Sequence, residues 1–313
     1  MNVGHATAVA AFLMWGLLPI YWKQLEAVPS LQLVAHRVIW SSLTLIPIVA
    51  WSGCWPQLRT AAVQPAMVAR QFLAALLVAA NWLGFVWAVT HGRMIESSLG
   101  YFLTPLVSVL LGVLVLGERL RPVQWIAVGV AAIGVGWIAA GYHHLPWIAL
   151  FLACTFSAYA LVKKTIALDA AVSLTLETLL LLVPACAFLA YEHVVDRGRF
   201  GTLGTTTDLL IAACGPATAA PLLCFTIAAR RIPLSTLGLL QYLGPTLQFL
   251  VGWWIYHEPF DGRRFVGFAI VWSALALFVA DGLLRRRHLA PGQAARDPAH
   301  RGPPSAGAPD DPV

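Results

Sequence analysis

The stretch LGYFLTPLVSVLLGVLVLGE, residues 99–118, is an apolar helix with an interruption in its middle. Pro105 lies at that point, and proline cannot donate the backbone hydrogen bond that a helix interior needs. The stretch is apolar enough to cross a membrane, yet it ends on the charged Glu118. A second stretch of this kind, LGLLQYLGPTLQFLVGWWIYHE, occupies residues 237–258. The sequence therefore contains the same interrupted helix twice.

The two stretches belong to a longer internal repeat. One offset of 140 residues relates three pairs of residues, namely Pro105 and Pro245, Gly112 and Gly252, and Glu118 and Glu258. This match predicts two halves, 1–141 and 142–284, with five helices each. Because five is an odd number, the second half must enter the membrane from the opposite side, which makes an inverted repeat.

The composition identifies lipid as the surrounding solvent. Of the 313 residues, 59% are hydrophobic and only 11% are charged, and the mean hydropathy is +0.75. A chain with so few polar groups is typical of membrane proteins. The predicted fold is an all-α polytopic membrane protein with ten transmembrane helices in two inverted five-helix repeats. Runs of about 20 apolar residues place the spans at roughly 4–24, 31–52, 70–91, 95–116, 121–140, 145–163, 172–192, 208–228, 233–256 and 262–282.

Lysine and arginine residues are divided unevenly between the two sets of loops. Thirteen of the 20 fall in one set and six in the other, while Arg37 lies inside a span. The positive-inside rule places the larger set in the cytoplasm, together with both termini. This topology explains the net charge of +6, so nucleic acid binding is not predicted. Residues 285–313 are rich in proline and poor in large apolar residues, which predicts a disordered cytoplasmic tail.

Both proline interruptions fall near the middle of the membrane. Each leaves a backbone carbonyl without its helical partner, and such a carbonyl must face protein, water or ligand rather than hydrocarbon. Aromatic and amide side chains at similar depth then predict a central substrate site. An alternative is that the prolines only kink their helices and that the amides bond to neighbouring backbone. The candidate binding residues are Trp15, Asn81, Trp82, Tyr101, Pro105, Ser157, Gln241, Tyr242 and Pro245.

Charged residues inside the spans form two candidate gates. Arg37 lies about 9 Å from the outer membrane face, at 1.5 Å per residue, and Glu177 lies at a similar depth from the inner face. A lone charge at such depth is costly, whereas a local pair is tolerable. The alternative is a set of snorkelling anchors and static helix clips. The outer cluster contains Lys23, Arg37 and Glu96, the inner cluster contains Lys164, Glu177 and Arg231, and His36 is a candidate for proton coupling because imidazole titrates near physiological pH.

Two further features are interpreted as structural. Glu118 and Glu258 end helices, where the negative end of the helix dipole disfavours a carboxylate. Nearby arginines are expected to compensate, Arg119 or Arg121 in one half and Arg263 or Arg264 in the other. Small residues at Ala132, Gly136 and Ala140 form a face for close packing, which either joins the halves or makes a homodimer.

Five segments resemble one family of bacterial membrane proteins. They are MWGLLPIYWK at 14–23, AHRVIWS at 35–41, NWLGFVWAV at 81–89, ESSLGYFLTPLVSVLLGVLVLGERL at 96–120 and PLLCFTIAARRIPLSTLGLLQYLGPTLQFLVG at 221–252. On these segments the chain is similar to the RarD family of chloramphenicol-sensitive proteins, within the EamA-type drug/metabolite transporter superfamily. The resemblance covers roughly residues 5–285. It implies ten helices in two inverted repeats, the bacterial inner membrane, and a carrier of small metabolites or drugs.

Secondary transport is the function that the repeat itself favours. An inverted repeat binds a small-molecule substrate between its halves and exposes it to each side in turn. A channel would show a continuous polar face along several helices, which the sequence lacks; a non-transporting membrane protein of the same fold is a further alternative. No catalytic cluster, cofactor motif or metal-ligand spacing is evident, so no enzyme, cofactor or metal is predicted. The expected partners are the substrate, the lipid bilayer, a coupling proton and a second copy of the chain.

Overall fold

The computed structural model of this protein describes residues 3–90, 94–140, 146–255 and 262–293. Within these ranges the regular structure is helical throughout. The helices are α1 (Val3–Lys23), α2 (Ser30–Trp51), α3 (Trp55–Ala62), α4 (Pro65–Thr90), α5 (Met94–Leu114), α6 (Pro122–Ala139), α7 (Trp147–Thr165), α8 (Ala170–Val194), α9 (Thr205–Arg231), α10 (Leu234–Gln241), α11 (Leu243–Trp254) and α12 (Gly262–Gln293).

Most of the long helices have the length and composition of membrane spans. In the described part of the chain, seven helices meet both criteria, namely α1, α2, α4, α6, α7, α8 and α9. Shorter apolar stretches occur in α5, at 99–114, and in α12, at 265–281. The prediction of an all-helical polytopic membrane protein is therefore confirmed.

The predicted segments and the helices follow the same order along the chain. The short helix α3 was not predicted, since its first turn contains Pro56 and its sequence is too polar to form an apolar run. At the other end of the chain, α12 continues to Gln293 and so includes residues 285–293, which the sequence assigned to the tail. The leucine, arginine and alanine residues there are good helix formers. Residues 294–313 lie outside the described ranges.

The two proline-interrupted stretches fold differently. Helix α5 continues through Pro105. In the second stretch the helix stops and restarts at Tyr242, next to Gln241, whose carbonyl cannot accept from Pro245 because proline has no N–H. The backbone N–H of Tyr242 bonds to the carbonyl of Leu239 at 3.4 Å, in a tighter turn. The second stretch is therefore divided into two helices and the first is not.

The predicted halves pack into one another. From the first half, α5 lies against α7 and α10, α6 against α12, α1 against α9 and α11, and α2 against α8 and α9. Glycines permit the closest approaches: a Cβ at Gly238 would lie 2.8 Å from the carbonyl oxygen of Pro105, and one at Gly134 would lie 3.0 Å from the carbonyl oxygen of Gly267. The largest apolar cluster accordingly contains residues of both halves.

The predicted small-residue face of α6 is not the face that joins the halves. Ala132, Gly136 and Ala140 are exposed, and a Cβ at Gly136 would meet nothing within 4 Å. Gly134, on the opposite side of the helix, makes the contact with α12. A homodimer through the exposed face remains a prediction.

Several helix ends that carry basic residues meet at one end of the bundle. A Cβ at Gly4 would lie 2.7 Å from the side chain of Ile232, and Lys164 donates to the carbonyl of Ile232 at 2.6 Å. Glu118 contacts the start of α10 at the same place. We call this the basic end. At the opposite end, Gln32 donates to the carbonyl of Arg197 at 2.7 Å.

Candidate functional site

Arg37 lies between two tryptophan rings inside the bundle. Its guanidinium carbon is 4.1 Å from the centroid of the Trp82 ring on α4 and 5.0 Å from that of Trp22 on α1. Its Nε donates to Oγ1 of Thr218 on α9 at 3.0 Å. Arg37 itself lies on α2, about 10 Å from the first residue of that helix at 1.5 Å per residue. Four helices therefore meet at this one side chain.

No acidic side chain pairs with Arg37 among the described residues. The ion pairs there include Arg121 with Asp281, Lys163 with Glu177, Lys164 with Glu118 and Arg197 with Glu192. Within the same ranges, the bond to Thr218 is the hydrogen bond that Arg37 makes. The Arg37 side chain is also only partly covered. Within the described ranges, its remaining N–H donors have no protein acceptor.

Hydroxyl and thiol groups complete the surroundings of Arg37. Tyr101 on α5, Tyr21 on α1 and Cys214 on α9 are the groups outside the direct contacts that interact with the guanidinium electrostatically. The Tyr21 hydroxyl lies 3.4 Å from Cys214 Sγ and also donates to the carbonyl of Leu210. We call Arg37, Trp22, Trp82, Tyr101 and Thr218 the Arg37 cluster.

Gly215 sets the approach of α2 and α9 beside this cluster. A Cβ at Gly215 would lie 2.3 Å from the carbonyl oxygen of Trp40 and 2.6 Å from Oγ1 of Thr44. No side chain other than hydrogen fits at that distance. Because Thr218 lies about one turn further along α9, this close packing brings its hydroxyl within reach of Arg37.

Three of the predicted binding residues are aromatic side chains in or beside the Arg37 cluster. Trp82 and Tyr101 belong to the Arg37 cluster. Trp15 lies in an aromatic group, with its ring centroid 5.7 Å from that of Phe156 and 5.4 Å from that of Phe225. Both Trp15 and Trp82 pack against the same apolar cluster. Trp15 on α1 and Trp82 on α4 therefore border one apolar cluster, and their contact with a substrate stays a prediction.

Two predicted binding residues join helices instead. Asn81 Nδ2 donates to the carbonyl of Leu152 and to Oγ1 of Thr155, both at 2.9 Å, and so ties α4 to α7. The Ser157 hydroxyl donates to the carbonyl of Thr104 at 3.1 Å and ties α7 to α5. These contacts correspond to the alternative in which polar side chains bond to neighbouring helices.

Gln241 and Tyr242 lie at the break between α10 and α11 but have different surroundings. Gln241 is 9% exposed, and its amide makes no hydrogen bond within the described ranges. Tyr242 is 1% exposed and packs in an apolar cluster with Leu99 and Val271. Its buried hydroxyl likewise finds no partner in the part of the chain that the structure describes. Gln241 therefore remains a candidate for ligand contact, whereas Tyr242 is a core residue.

Glu177 belongs to a buried polar network that joins α4, α7 and α8. Its Oε1 lies 2.5 Å from Lys163 Nζ, and its Oε2 accepts from the Tyr159 hydroxyl at 3.3 Å. Lys163 also donates to Oγ of Ser173 at 2.6 Å, which Gln71 Nε2 approaches to 2.8 Å. All five side chains are buried. We call them the Glu177 network.

The predicted inner cluster is thus divided between two places. Lys164 points toward the basic end, where its Nζ lies 3.7 Å from Glu118 Oε1. Successive residues of an α-helix point about 100° apart, so only one of Lys163 and Lys164 can face Glu177. The structure pairs Glu177 with the lysine that the sequence analysis did not select.

Glu118 caps the start of α10. Its two carboxylate oxygens accept from the backbone N–H groups of Leu234 at 2.6 Å and Ser235 at 2.9 Å. A carboxylate at a helix N-terminus is favourable, because the dipole there is positive. Gly112 leaves room for this contact, since a Cβ at Gly112 would lie 2.8 Å from Glu118 Oε2. The glycine and the glutamate of the repeat therefore act together.

A cavity of about 390 Å³ opens at the basic end. Arg119, one of the two predicted partners of Glu118, lines this cavity, while Arg121 pairs with Asp281 at 2.7 Å. Cations outnumber the single carboxylate in the lining. The lining residues are Glu118, Arg119, Gln124, Lys164, Arg230, Arg231, Ile232, Pro233, Ser235 and Thr236.

The other gate candidates near Arg37 have separate positions. His36 is buried, with its ring centroid 5.3 Å from that of Phe200 in the α8–α9 connection. Lys23 is exposed at the end of α1. Glu96 lies on α5, and its side chain falls outside the described part of the chain. Arg37 is therefore the deep member of the predicted outer cluster.

Sequence reasoning missed six residues around the charges inside the bundle. They are Trp22 and Thr218 beside Arg37, and Lys163, Tyr159, Ser173 and Gln71 in the Glu177 network. One signal was present: Glu177 follows Arg37, and Lys163 follows Lys23, by the same 140 residues that relate the prolines. The rotation of each helix, which decides these contacts, is not visible in a hydropathy pattern.

The described residues offer no metal site. Within those ranges, no three His, Cys, Asp or Glu side chains lie close enough together to hold an ion. The cysteines are free thiols, with Cys214 buried and Cys154 and Cys186 exposed.

Known proteins resemble this chain over most of its length. A model of the EamA-like transporter family matches residues 2–140. Protein RarD of Escherichia coli (strain K12) is 41% identical over 284 residues, which cover 91% of this chain and 96% of that protein. The uncharacterized transporter YojE of Bacillus subtilis (strain 168) is 43% identical over 276 residues, which cover 87% of this chain and 91% of that protein. The chloramphenicol-sensitive protein RarD of Pseudomonas aeruginosa is 33% identical over 293 residues, which cover 91% and 96% of the two chains.

A solved crystal structure has a similar fold. It superimposes with a TM-score of 0.69 at 19% sequence identity, and the match covers 88% of this chain and 96% of the other. At that identity the similarity concerns the fold alone.

Proposed function

This chain belongs to the EamA-like transporter family, as a relative of the RarD proteins, and we propose that it is a secondary carrier of a small molecule. In this proposal ten spans form two inverted five-helix repeats in the bacterial inner membrane, with both termini in the cytoplasm. The carrier binds its cargo between the halves and exposes it to each side in turn.

The observation that carries this proposal is the Arg37 cluster. It gathers a cation, aromatic faces and hydroxyl groups from helices of both halves at one partly accessible place inside the bundle. Intramembrane ionisable residues mark substrate or ion pathways more often than they serve packing. Gln241, whose amide makes no hydrogen bond to described residues, is the second polar group proposed to face the cargo.

The gates of the proposed carrier lie on either side of this site. At the basic end, Lys164 and Glu118 join α7 to the end of α5 and the start of α10. Their side chains are partly exposed. When the contact breaks, both charged groups can therefore be hydrated. At the opposite end we propose that Lys23, His36 and Glu96 take part, with His36 as the group that carries a coupling proton.

Thiol accessibility from each side of the membrane tests the carrier proposal. All native cysteines are first replaced, because Cys154 and Cys186 are exposed and Cys214 lies beside the site. Cysteine is then introduced as Tyr101→Cys, in the Arg37 cluster, or as Leu110→Cys, 53% exposed on the same helix. We expect a charged thiol reagent to modify Cys at 101 from either side of oriented vesicles, and to leave Cys at 110 unmodified because it faces hydrocarbon.

Two results would contradict the carrier proposal in different ways. A thiol at 101 that is inert from both sides would indicate a non-transporting membrane protein. A steady ionic current through planar bilayers that contain the purified protein would indicate a channel.

The orientation has a separate test. The excess of arginine and lysine at the basic end supports a cytoplasmic C-terminus. Alkaline phosphatase fused after Val313 should therefore be inactive, and a fluorescent protein fused there should be fluorescent. The reverse pattern would overturn both the orientation and the direction assigned to each repeat.

A further inference from the structure

We propose that the cargo is an anion with a planar apolar body, and that Arg37 binds its carboxylate or an equivalent oxyanion. The transport of that cargo rests on the proposed function, whereas its binding does not. The inference follows from the charge of Arg37, the orientation of its guanidinium and the rings around it.

The charge of Arg37 is the first step. A cation inside a bilayer-spanning bundle is costly when it has no counter-charge. Lys163 and Lys164 each have a carboxylate within 4 Å, but Arg37 has none among the described residues. An anionic ligand would supply the missing charge, and a cationic ligand would be repelled.

The orientation of the guanidinium is the second step. Thr218 occupies Nε, and the Trp82 ring lies 4.1 Å from the guanidinium carbon. The group is therefore held in place on one edge and one face. Its two terminal nitrogens remain as a pair of parallel donors, the arrangement that binds a carboxylate through two hydrogen bonds.

The rings around Arg37 are the third step. Trp22 and Trp82 approach it from two different helices, and Trp15 packs against the same apolar cluster as Trp82. Flat aromatic surfaces favour a ligand with a planar body. The combination selects an aromatic carboxylate over an aliphatic acid, a neutral aromatic molecule or an amine.

A static role for Arg37 predicts different behaviour. If the guanidinium served only to hold α2 against α9, ligands of every charge would bind alike, and the loss of Arg37 would chiefly destabilise the fold. Arg59 provides a matched control, because its guanidinium also stacks on a tryptophan, Trp55, at 5.6 Å but lies on the short helix α3.

Binding to the purified protein in detergent tests the inference. The probes are phenylacetate, benzoate and indole-3-acetate. Three matched ligands serve as controls: phenylacetamide lacks the charge, phenethylamine carries the opposite charge, and acetate lacks the ring. The readouts are tryptophan fluorescence and the temperature of thermal unfolding. We expect at least one aromatic carboxylate to quench the fluorescence and raise the unfolding temperature, while the amide, the amine and acetate do neither.

The variants assign the binding to Arg37. Arg37→Gln should weaken the binding of the aromatic carboxylate by about tenfold or more, as the loss of a charge-assisted hydrogen-bond pair predicts. Arg37→Lys should weaken it less, and Arg59→Gln should leave it unchanged. The inference is wrong if none of the three carboxylates binds, if the amide binds as tightly as the acid, or if Arg37→Gln retains the affinity.

Failure of the inference and failure of the proposed function give different results. Carboxylate binding with a thiol at 101 that is inert from both sides would support the anion site and overturn the carrier. A reactive thiol at 101 without carboxylate binding would support the carrier and overturn the anion site.

Discussion

Arg37 and Lys163 are both cations on helices of the bundle, yet their surroundings differ. Lys163 is 0% exposed and donates to Glu177 at 2.5 Å and to Ser173 at 2.6 Å. Arg37 is partly exposed, donates to one hydroxyl and stacks on tryptophan rings. The first cation is neutralised by the protein, whereas the second has no acidic partner within the described ranges. A neutralised charge belongs to the scaffold, and a charge left with free donors is available for binding.

The 140-residue offset sharpens this comparison. It relates Arg37 on α2 to Glu177 on α8, so corresponding positions of the two predicted repeats carry opposite charges. In one half the acid meets Lys163 and completes a pair. In the other half the corresponding residue is itself a cation, and Lys23 at the position related to Lys163 is also basic. The two predicted halves therefore contain one charge site that is paired and one that has no acidic partner within the described ranges.

The largest expected effect follows from breaking the paired charge site. Glu177→Gln leaves Lys163 buried without its carboxylate, which typically destabilises a protein by about 3 to 5 kcal/mol. We expect a large drop in the unfolding temperature in detergent and poor insertion yield. The double variant Lys163→Met with Glu177→Leu should recover most of that loss, because a packed apolar pair replaces the ions. Wild-type stability in Glu177→Gln would show that the network does not hold the fold.

A smaller effect is expected from separating α2 and α9 beside Arg37. Gly215→Ala adds a Cβ that would lie 2.3 Å from a backbone oxygen, so the helices must move apart, at a cost of about 1 to 3 kcal/mol. Aromatic carboxylate binding should weaken as Thr218 moves away from Arg37. Gly136→Ala is the control, because its Cβ meets nothing within 4 Å. Equal unfolding temperatures for the two variants would contradict this account.

Removal of the hydroxyl beside Arg37 should have a still smaller effect on the stability of the fold. Thr218→Val keeps the shape of the side chain and loses the bond to Arg37 Nε, which corresponds to about 1 kcal/mol. The freed N–H can turn to water because Arg37 is partly exposed. We expect stability near that of the wild type and a severalfold loss of carboxylate affinity in fluorescence titrations. A large loss of stability would indicate that the bond serves mainly to hold α2 against α9.

The smallest effect is expected at the basic end. Lys164→Met removes a contact of 3.7 Å with Glu118 and the hydrogen bond to the carbonyl of Ile232. Pairs of partly exposed charges contribute about 0 to 1 kcal/mol, and the carbonyl can bond to water because Lys164 is partly exposed. Stability should change little, while the rate of thiol modification at 101 from the cytoplasmic side should rise as the proposed gate loosens. An unchanged rate would remove Lys164 from the gate.

The order and type of the helices were predictable from the sequence, because long apolar runs depend on composition alone. The repeat of a proline, a glycine and a glutamate was equally readable. Pro105 shows the limit: the same residue type that follows the break between α10 and α11 leaves α5 continuous.

The partners of the charged residues were not predictable in the same way. Depth along the helices suggested Lys164 for Glu177, but rotation about the helix axis selected Lys163. Trp22 and Thr218 reach Arg37 from helices that are far apart in sequence, and Gly215 sets their spacing. Such contacts depend on how the two halves dock, which no local pattern records.

The cap formed by Glu118 has a consequence for the order of synthesis. Its acceptor groups lie between α5 and α6, but the amides of Leu234 and Ser235 that they bind are translated more than a hundred residues later. These two hydrogen bonds cannot form until the ninth predicted span leaves the ribosome, whereas Lys164, the other partner of Glu118, is made earlier. The contact between Glu118 and α10 is therefore completed only after the chain has been made as far as Ser235.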